Sequence, residues 1–280
     1  MKKLLITGCN GQLGRALNRE YRDAWAELIN LDSQKLDISS LDSVMQAVRS
    51  CRPDVIINCG AMTAVDLCET ERDRAFRINA LGPRNLGIAA METGAKVFQI
   101  STDYIFSGES KRPYIETDTA HPQSVYGQTK LEGEQFIRDF AQRYFIIRTA
   151  WMYGDGKNFA ATMLRLSQAN DTVRVVGDQT GTPTSAAELA KMIHVLEPTE
   201  NYGVFHGTCE GACSWAEFAE EIFRQAGRKT AVEHITTEEF AAPAKRPAYS
   251  VLDNRMLRLT TDFRMMEWRD ALSIYMREIL

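Results

Sequence analysis

The fold of this chain is decided by one stretch near its start, Lys3-Leu4-Leu5-Ile6-Thr7-Gly8-Cys9-Asn10-Gly11-Gln12-Leu13-Gly14. The short apolar run predicts a strand, and the pattern from Gln12 to Arg22 predicts a helix. Glycines at 8, 11 and 14 permit the tight turn between them and let the backbone approach a ligand. The start of the helix offers free N–H groups and a partial positive charge. The stretch therefore predicts a turn that binds the pyrophosphate of a dinucleotide.

The rest of the first half alternates short apolar runs with helical patterns. Further strands are predicted at Leu28–Leu31, Asp54–Asn58, Val97–Ile100 and Tyr144–Thr149. Ser40 is the predicted N-cap of one helix, and a long helical stretch runs from about residue 71 to 93. Short, fully apolar strands separated by helices are typical of a parallel sheet that is covered on both faces. We therefore expect an α/β protein with a doubly wound, Rossmann-like parallel sheet.

After Trp151 the pattern changes, because glycines divide the chain into shorter elements. We predict a dinucleotide-binding domain at residues 1–150 and a smaller, mainly substrate-binding lobe at residues 151–280. A helix near residues 185–196 is expected to pack back on the first domain.

Composition narrows the class of protein. The chain has 280 residues, 44% of them hydrophobic and 25% charged, and a net charge of -4. These values are ordinary for a globular enzyme, and the charge argues against nucleic acid as a partner. The apolar run at the start is too short for a signal peptide, and no apolar stretch approaches the length of a membrane span. Six cysteines without a CxxC pair indicate reduced thiols in a cytoplasmic protein.

The spacing Y-x-x-x-K occurs twice, as Tyr126/Lys130 and as Tyr153/Lys157. Tyr126 follows Ser124 at the start of a predicted helix, where residues four apart lie on one face. Gly154 and Gly156 indicate a loop around the second pair, and in a loop a spacing of four does not place two side chains on the same face. We therefore take Tyr126 and Lys130 as the candidate catalytic pair.

A phenol and an ammonium on one helical face suit hydride chemistry on an alcohol or ketone. The ordinary pKa of tyrosine, near 10, is too high for acid–base work at neutral pH, and a neighbouring lysine is expected to lower it. The lysine could also bond to the nicotinamide ribose. A hydroxyl that follows the fourth strand would polarise the substrate carbonyl, and we favour Thr102 over Ser101 for this role.

Cofactor preference depends on an acidic residue at the end of the second strand. Asp32 is in that position, where a carboxylate would accept bonds from the adenosine ribose hydroxyls and favour NAD over NADP. Asp37 is a second candidate for a role near the adenosine ribose, so the preference between the two cofactors stays open.

Together these residues resemble the extended short-chain dehydrogenase/reductases, and within them the branch that reduces 4-keto dTDP-sugars. The likeness covers nearly the whole chain, and its second-half motifs are the more specific ones. It runs through Thr7-Gly8, Asn58–Asp66, Ile78-Asn79-Ala80, Ser101–Phe106, Val125–Glu134, Arg148–Gly154, Lys157-Asn158-Phe159, Asp178-Gln179, Gly181–Thr184, Cys213-Ser214-Trp215, Arg246-Pro247 and Ser250–Asn254.

The resemblance implies reduction of dTDP-4-dehydro-L-rhamnose to dTDP-L-rhamnose, a polysaccharide precursor, with NADPH or NADH. The implied cofactor contacts, together with those of the turn, are Gly8, Asn10, Gly11, Gln12, Leu13, Gly14, Asp32, Asp37, Ile38, Ala61, Met62, Thr63, Tyr126 and Lys130. The implied substrate contacts are Thr102, Asp103, Tyr104, Tyr126 and Trp151. The indole of Trp151 would cover the apolar face of a 6-deoxy sugar, although plain core packing remains the alternative.

Two departures from the family pattern matter. Ala16 replaces a glutamate that helps some relatives bind magnesium at a dimer contact, so we expect no metal and a monomer or weak homodimer. Tyr104 occupies the position where 4,6-dehydratases of this fold carry the glutamate used in elimination. A 4-epimerase, a 4,6-dehydratase, or a non-catalytic regulator resembling the beta subunit of methionine adenosyltransferase remain alternatives to the reductase.

Overall fold

The computed structural model describes all residues, 1–280, and contains twelve strands and twelve α-helices. The strands are β1 (Lys2–Thr7), β2 (Ala26–Leu31), β3 (Val55–Asn58), β4 (Lys96–Thr102), β5 (Tyr144–Thr149), β6 (Met152–Tyr153), β7 (Thr172–Val176), β8 (Thr180–Gly181), β9 (Thr184–Ser185), β10 (Gly203–His206), β11 (Cys213–Ser214) and β12 (Ala231–Ile235). The helices are α1 (Gln12–Glu20), α2 (Leu41–Cys51), α3 (Val65–Thr70), α4 (Arg72–Phe76), α5 (Gly82–Thr93), α6 (Val125–Phe140), α7 (Phe159–Leu166), α8 (Ala186–Leu196), α9 (Trp215–Gln225), α10 (Thr237–Phe240), α11 (Arg255–Thr260) and α12 (Trp268–Ile279).

The centre of the molecule is a six-stranded parallel sheet in the order β10-β5-β4-β3-β1-β2. One face packs against α1 and α8, and the other packs against α2, α5 and α6. Successive side chains of a strand point to opposite faces, so Leu4 and Ile6 enter the first core while Leu5 enters the second. The predicted doubly wound α/β fold is confirmed.

The strand order places a ligand site at the carboxyl ends of β1 and β3. From β1 the chain continues outward to β2, and it then crosses to the other side of β1 to form β3. Such a reversal of direction leaves a crevice at the carboxyl ends of the two strands, where open α/β sheets bind their ligands. The glycine-rich turn follows β1 directly.

Local sequence explains where the principal helices begin. The side chain of Ser40 caps α2 by accepting from the backbone N–H of Ser43, and Ser124 caps α6 in the same way through Gly127. The predicted helical stretch near residues 71–93 consists of α4, one π-helical turn at Arg77–Leu81, and α5. Sequence gave no indication of the π-helical turn.

The second half of the chain contributes to both parts of the molecule. A separate apolar core gathers α7, α9 and α12 around buried side chains such as Phe218 and Trp268. In contrast, α8 packs against α1, and β10 extends the central sheet beside β5. The division into two domains at residue 150 stays a prediction. None of the helices has the length and apolar character that crossing a membrane requires.

Candidate active site

The glycine-rich turn is shaped by close backbone approaches that only glycine allows. Gly8 has a φ of +60°, and a β-carbon there would lie 2.9 Å from the backbone nitrogen of Gly60. A β-carbon on Gly14 would lie 2.6 Å from the Cα of Cys9, and the Gly11 N–H donates to the Gly8 carbonyl at 2.9 Å. These glycines hold the start of α1 against the carboxyl ends of β1 and β3.

The start of α1 presents unpaired polar groups beside this turn. Its N-cap is Gly11, so no side chain caps the first N–H groups of the helix. The Oε1 atom of Gln12 is buried without a hydrogen-bond partner. Free N–H groups at a helix start bind phosphate, so the turn fits a dinucleotide pyrophosphate. Leu13 is buried in the core and can contact a cofactor only through its backbone.

The two candidate ribose-binding carboxylates differ in their contacts. Asp32 follows β2 and accepts a hydrogen bond from the Asn10 side chain at 2.9 Å, which connects it to the turn. Asp37 is exposed and accepts from its neighbour Ser39 at 2.9 Å. Ile38 is buried, and its side chain packs so close to Gly82 that a β-carbon on Gly82 would lie 2.9 Å from it. The structure therefore joins Asp32, but not Asp37, to the glycine-rich turn.

The segment Ala61-Met62-Thr63 follows β3 and is fixed by a residue to which the sequence analysis assigned no role. Asn79, in the π-helical turn, accepts from the backbone N–H of Met62 at 2.8 Å and donates to its carbonyl at 3.0 Å. Its amide also donates to the Thr129 hydroxyl on α6 at 3.2 Å. Asn79 thus joins the predicted cofactor segment to the helix that carries Tyr126. The available signal was the match of Ile78-Asn79-Ala80 to the family pattern, because the burial of Asn79 is visible only in the structure.

The two hydroxyls at the end of β4 have different partners. The Ser101 hydroxyl donates to the Glu134 carboxylate at 2.5 Å. Thr102 accepts from the backbone N–H of Tyr104 at 3.2 Å and lies close enough to Tyr126 to affect its pKa. Both hydroxyls donate to carboxylates, but only that of Thr102 neighbours the Tyr126 phenol. The choice of Thr102 as a catalytic residue is supported and stays a prediction.

Tyr126 and Lys130 lie on the buried face of the first turns of α6. Burial raises the pKa of the Tyr126 phenol, and the neighbouring Thr102 hydroxyl only partly opposes this. Burial also lowers the pKa of Lys130 to about 8, while its ammonium donates to the Ile100 carbonyl at 2.5 Å. Lys130 is not among the groups that shift the pKa of Tyr126, so the expectation that Lys130 lowers this pKa stays a prediction.

The second Y-x-x-x-K match forms no catalytic pair. Tyr153 lies in β6 with its hydroxyl buried and unpaired, and Lys157 is exposed in the following turn. The carbonyl of Lys157 accepts from the Gln12 side chain at 3.5 Å. The two side chains do not share a helix face, as the glycines between them indicate.

Two of the candidate substrate residues, Asp103 and Tyr104, lie next to the candidate catalytic residues Thr102 and Tyr126. Burial raises the pKa of Asp103 to about 6, and the Thr102 hydroxyl donates to its carboxylate at 3.0 Å. The ring of Tyr104 meets that of Tyr126 edge-on, with centroids 5.5 Å apart. Trp151 has a φ of +46° and stacks on Trp215 at 3.6 Å. One face of the indole is therefore covered by protein, so at most the other face is available to a sugar.

The first helix offers no acidic side chain at the position where some relatives hold magnesium. Ala16 is buried in the core, 2% exposed. The structure contains no group of three or more His, Cys, Asp or Glu side chains that could hold a metal ion. The absence of a metal cofactor stays a prediction.

Comparison with known proteins places this architecture in a family. The model described as the RmlD substrate binding domain matches residues 1–280. The spore coat polysaccharide biosynthesis protein SpsK of Bacillus subtilis is 40% identical, over 99% of this chain and 98% of its own length. The dTDP-4-dehydrorhamnose reductase of Aggregatibacter actinomycetemcomitans is 38% identical, over 97% of both chains.

Solved structures agree with these relatives. A dTDP-4-dehydrorhamnose reductase from Clostridium acetobutylicum has a TM-score of 0.98 and 50% identity, covering 99% of each chain. One from Bacillus anthracis, in complex with NADP, has a TM-score of 0.97 and 43% identity, covering 99% of this chain and 100% of its own. The chain belongs to the dTDP-4-dehydrorhamnose reductase family of extended short-chain dehydrogenase/reductases.

Proposed function

We propose that this chain reduces the 4-keto group of dTDP-4-dehydro-L-rhamnose to give dTDP-L-rhamnose, with NADPH or NADH as the reductant. The observation that carries the proposal is the position of Thr102 and Tyr126. Thr102 ends β4 and Tyr126 lies in the first turn of α6, where both side chains are buried next to each other, and the turn after β1 has a geometry that fits a dinucleotide. Lys130 follows Tyr126 on the same face of α6.

Each of the three residues has a distinct role in this proposal. The bound reduced nicotinamide supplies the hydride. Tyr126 donates the proton to the carbonyl oxygen, and its raised pKa keeps it in the protonated form that a donor needs. The Thr102 hydroxyl, which donates to Asp103 in the structure, would turn to donate to the same oxygen as negative charge develops there. Lys130 bonds to the nicotinamide ribose and stabilises the phenolate after the proton has left.

The proposed cofactor contacts come from the elements around the crevice at the carboxyl ends of β1 and β3. The N–H groups at Gln12 and Gly14 would bind the pyrophosphate, Asp32 would accept from the adenosine ribose, and Ala61–Thr63 would line the groove. The Bacillus anthracis relative, which is in complex with NADP, supports use of the phosphorylated cofactor.

The sugar nucleotide would bind on the other side of the catalytic group. We propose that Asp103 and Tyr104 contact the sugar, and that the face of Trp151 opposite Trp215 packs on it. The proposal is supported by the direct contact between the rings of Tyr104 and Tyr126.

The rival activities have less support. Tyr104 stands where a 4,6-dehydratase of this fold would need its glutamate, and the relatives at 38–50% identity whose names state an activity are reductases. A regulator without activity would not need Thr102, Tyr126 and Lys130 together. We also propose that the chain acts in the cytoplasm as a monomer or weak homodimer, with its six free cysteines reduced.

One assay tests the proposal. The keto sugar is generated in place by the upstream epimerase, and loss of reduced-nicotinamide absorbance is followed with NADPH and with NADH. We expect turnover by the parent chain and a loss of at least about 100-fold in kcat for Tyr126→Phe. Tyr153→Phe is the matched control, because it removes a buried hydroxyl that has no partner. Lack of turnover by the parent, or full activity in Tyr126→Phe, would contradict the assignment.

A further inference from the structure

Three consecutive residues at the end of β4 contact three positions on one face of α6. The carbonyl of Ile100 accepts from the Lys130 ammonium at 2.5 Å, and the hydroxyl of Ser101 donates to the Glu134 carboxylate at 2.5 Å. The next residue of the strand is Thr102, whose hydroxyl neighbours Tyr126. Positions 126, 130 and 134 are spaced by four, so they follow one another along one helix face. Glu134 is the one member of this set to which the proposed reaction gives no role.

Glu134 is a fully buried charge, with 0% of its surface exposed. Arg148 on β5 donates to both of its oxygens, at 3.0 Å from Nε and 2.8 Å from Nη2. Arg148 is itself 3% exposed and also donates to the Glu116 carbonyl at 3.1 Å. A buried carboxylate persists only when it is paired and hydrogen-bonded, and this one joins α6, β4 and β5. Its bonds therefore hold the helix in register with the ends of both strands.

Glu134 also affects the pKa of Lys130. Glu134 follows Lys130 by one turn of α6, and its negative charge raises the pKa of Lys130 against the lowering by burial. The Cys59 thiol, after β3, also faces Lys130, but burial raises its pKa to about 12 and keeps it neutral. Tyr126 is held neutral in the same way. Glu134 is itself paired with Arg148 on β5 at 2.8 Å and with Arg138 on α6 at 3.5 Å.

We propose that Glu134 is a positioning residue that acts through Ser101 and Lys130. Through Ser101 it holds the end of β4, and with it the Thr102 hydroxyl, against α6. Through its charge it keeps Lys130 in the ammonium form over the working range of pH. The proposal rests on the proposed reductase function for its kinetic consequences, although its effect on Lys130 does not need turnover.

The first test is Glu134→Gln, which keeps the size of the side chain and an oxygen for Ser101 but removes the charge. We expect kcat to fall at least about tenfold while the KM values for sugar and cofactor change by less than about threefold. Removing the anion lowers the pKa of Lys130, so the alkaline limb of the kcat–pH profile should move to lower pH by at least about half a unit. A folded Glu134→Gln chain with the parent kcat and the parent alkaline limb would overturn the proposal.

A second variant separates position from charge. Ser101→Ala leaves the pair Glu134–Arg148 intact but removes the bond from β4. We expect kcat to fall by at least about fivefold with no movement of the alkaline limb. If Glu134→Gln does not fold, this variant decides alone, and the parent kcat in Ser101→Ala would overturn the proposal. The matched control is Glu188→Gln, since Glu188 is also a buried helix carboxylate paired with a lysine, Lys191. It should leave kcat and the pH profile unchanged.

A measurement without turnover keeps this inference distinct from the proposed function. The protein is labelled with ¹³C-lysine, the Lys130 signal is assigned by its loss in Lys130→Arg, and its titration midpoint is followed by NMR. We expect a lower midpoint in Glu134→Gln than in the parent and no change in Glu188→Gln. If the parent fails to reduce the keto sugar but the midpoint falls, the function is wrong and the role of Glu134 toward Lys130 holds. An unchanged midpoint in Glu134→Gln overturns the proposal whatever the activity.

Discussion

The β-carbon position of Gly127 lies 2.2 Å from the carbonyl oxygen of Tyr104. No side chain fits into that distance, so only glycine allows the first turn of α6 to approach the short helical turn that follows β4. This approach sets the position of Tyr126 against Thr102. The residue after the candidate catalytic tyrosine is thus constrained by a tertiary contact.

Gly127→Ala should therefore damage both stability and catalysis. The alanine methyl group must push α6 away from Tyr104, which we expect to cost about 1–3 kcal/mol and to lower kcat by about 100-fold through misplacement of Tyr126. Denaturant unfolding and steady-state kinetics measure the two effects. Gly227→Ala is the control, because Gly227 has a φ of +63° but no atom within 4 Å of its β-carbon position. It should cost about 1 kcal/mol and leave kcat unchanged. Equal kcat in both variants would contradict the argument.

Thr102 should act through its hydroxyl and not through its size. Thr102→Val keeps the shape but removes the donor to the substrate oxygen, so we expect kcat to fall by about 100- to 1,000-fold. Thr102→Ser retains the hydroxyl and should keep at least about a tenth of the parent kcat. The pair is compared under saturating sugar and NADPH. A Thr102→Val chain as active as Thr102→Ser would rule out this role.

Asp32 should control the choice of cofactor more than Asp37 does, because Asp32 alone is bonded to Asn10 in the glycine-rich turn. Its carboxylate would repel the 2′-phosphate of NADPH. Asp32→Ser is therefore expected to raise the ratio of kcat/KM for NADPH over NADH by about tenfold, which corresponds to about 1.4 kcal/mol. The same substitution at Asp37 should change the ratio by less than about twofold. The opposite ranking would assign the role to Asp37.

His206 should make the folded chain sensitive to acid. It is fully buried, its Nδ1 lies 3.1 Å from the Asp253 carbonyl, and burial lowers its pKa to about 3. In the unfolded chain the pKa is about 6.5, so below that pH the unfolded state binds a proton that the folded state does not. The contribution of His206 to the free energy of unfolding is therefore fully present above pH 6.5. It falls by up to about 1.4 kcal/mol per pH unit as the pH decreases toward 3.

The measurement is the free energy of unfolding at pH 7, 6 and 5 in the parent and in His206→Gln. The parent should lose stability more steeply than the variant. Asp103 acts in the opposite direction, because its raised pKa of about 6 favours the folded state as the pH falls, but it is present in both chains and cancels. A difference between the two chains that does not change with pH would show that His206 does not titrate on unfolding.

Local patterns were sufficient for much of the fold. The apolar run before Gly8 and the glycine spacing after it predicted β1 and α1, and Ser40 and Ser124 begin the helices as their types indicate. Glycines around Tyr153 were enough to exclude the second tyrosine–lysine pair. These features depend on conformational preferences and on hydrogen bonds between residues only a few positions apart.

Other features depend on residues that are far apart in the chain. Asn79 bonds to Met62 and Thr129, and Glu134 bonds to Ser101 and Arg148. The hydrogen-bond partners of these residues cannot be predicted from the neighbouring sequence, because the polar groups meet only when separate elements pack together. The pKa values have the same origin. Burial, which is a property of the packed sheet and helices, raises the pKa of Tyr126 and lowers that of Lys130, and the four-residue spacing alone did not indicate this.

The sequence by itself determined the class of fold, and it predicted the dinucleotide turn and the candidate tyrosine–lysine pair, since each depends on short-range periodicity and on the backbone freedom of glycine. Only the tertiary structure decided that the Ser101 hydroxyl is bound to Glu134, and that Trp151 has one face covered by Trp215. Those outcomes depend on which side chains are buried together, and burial is decided by the packing of β4, α6 and the second core.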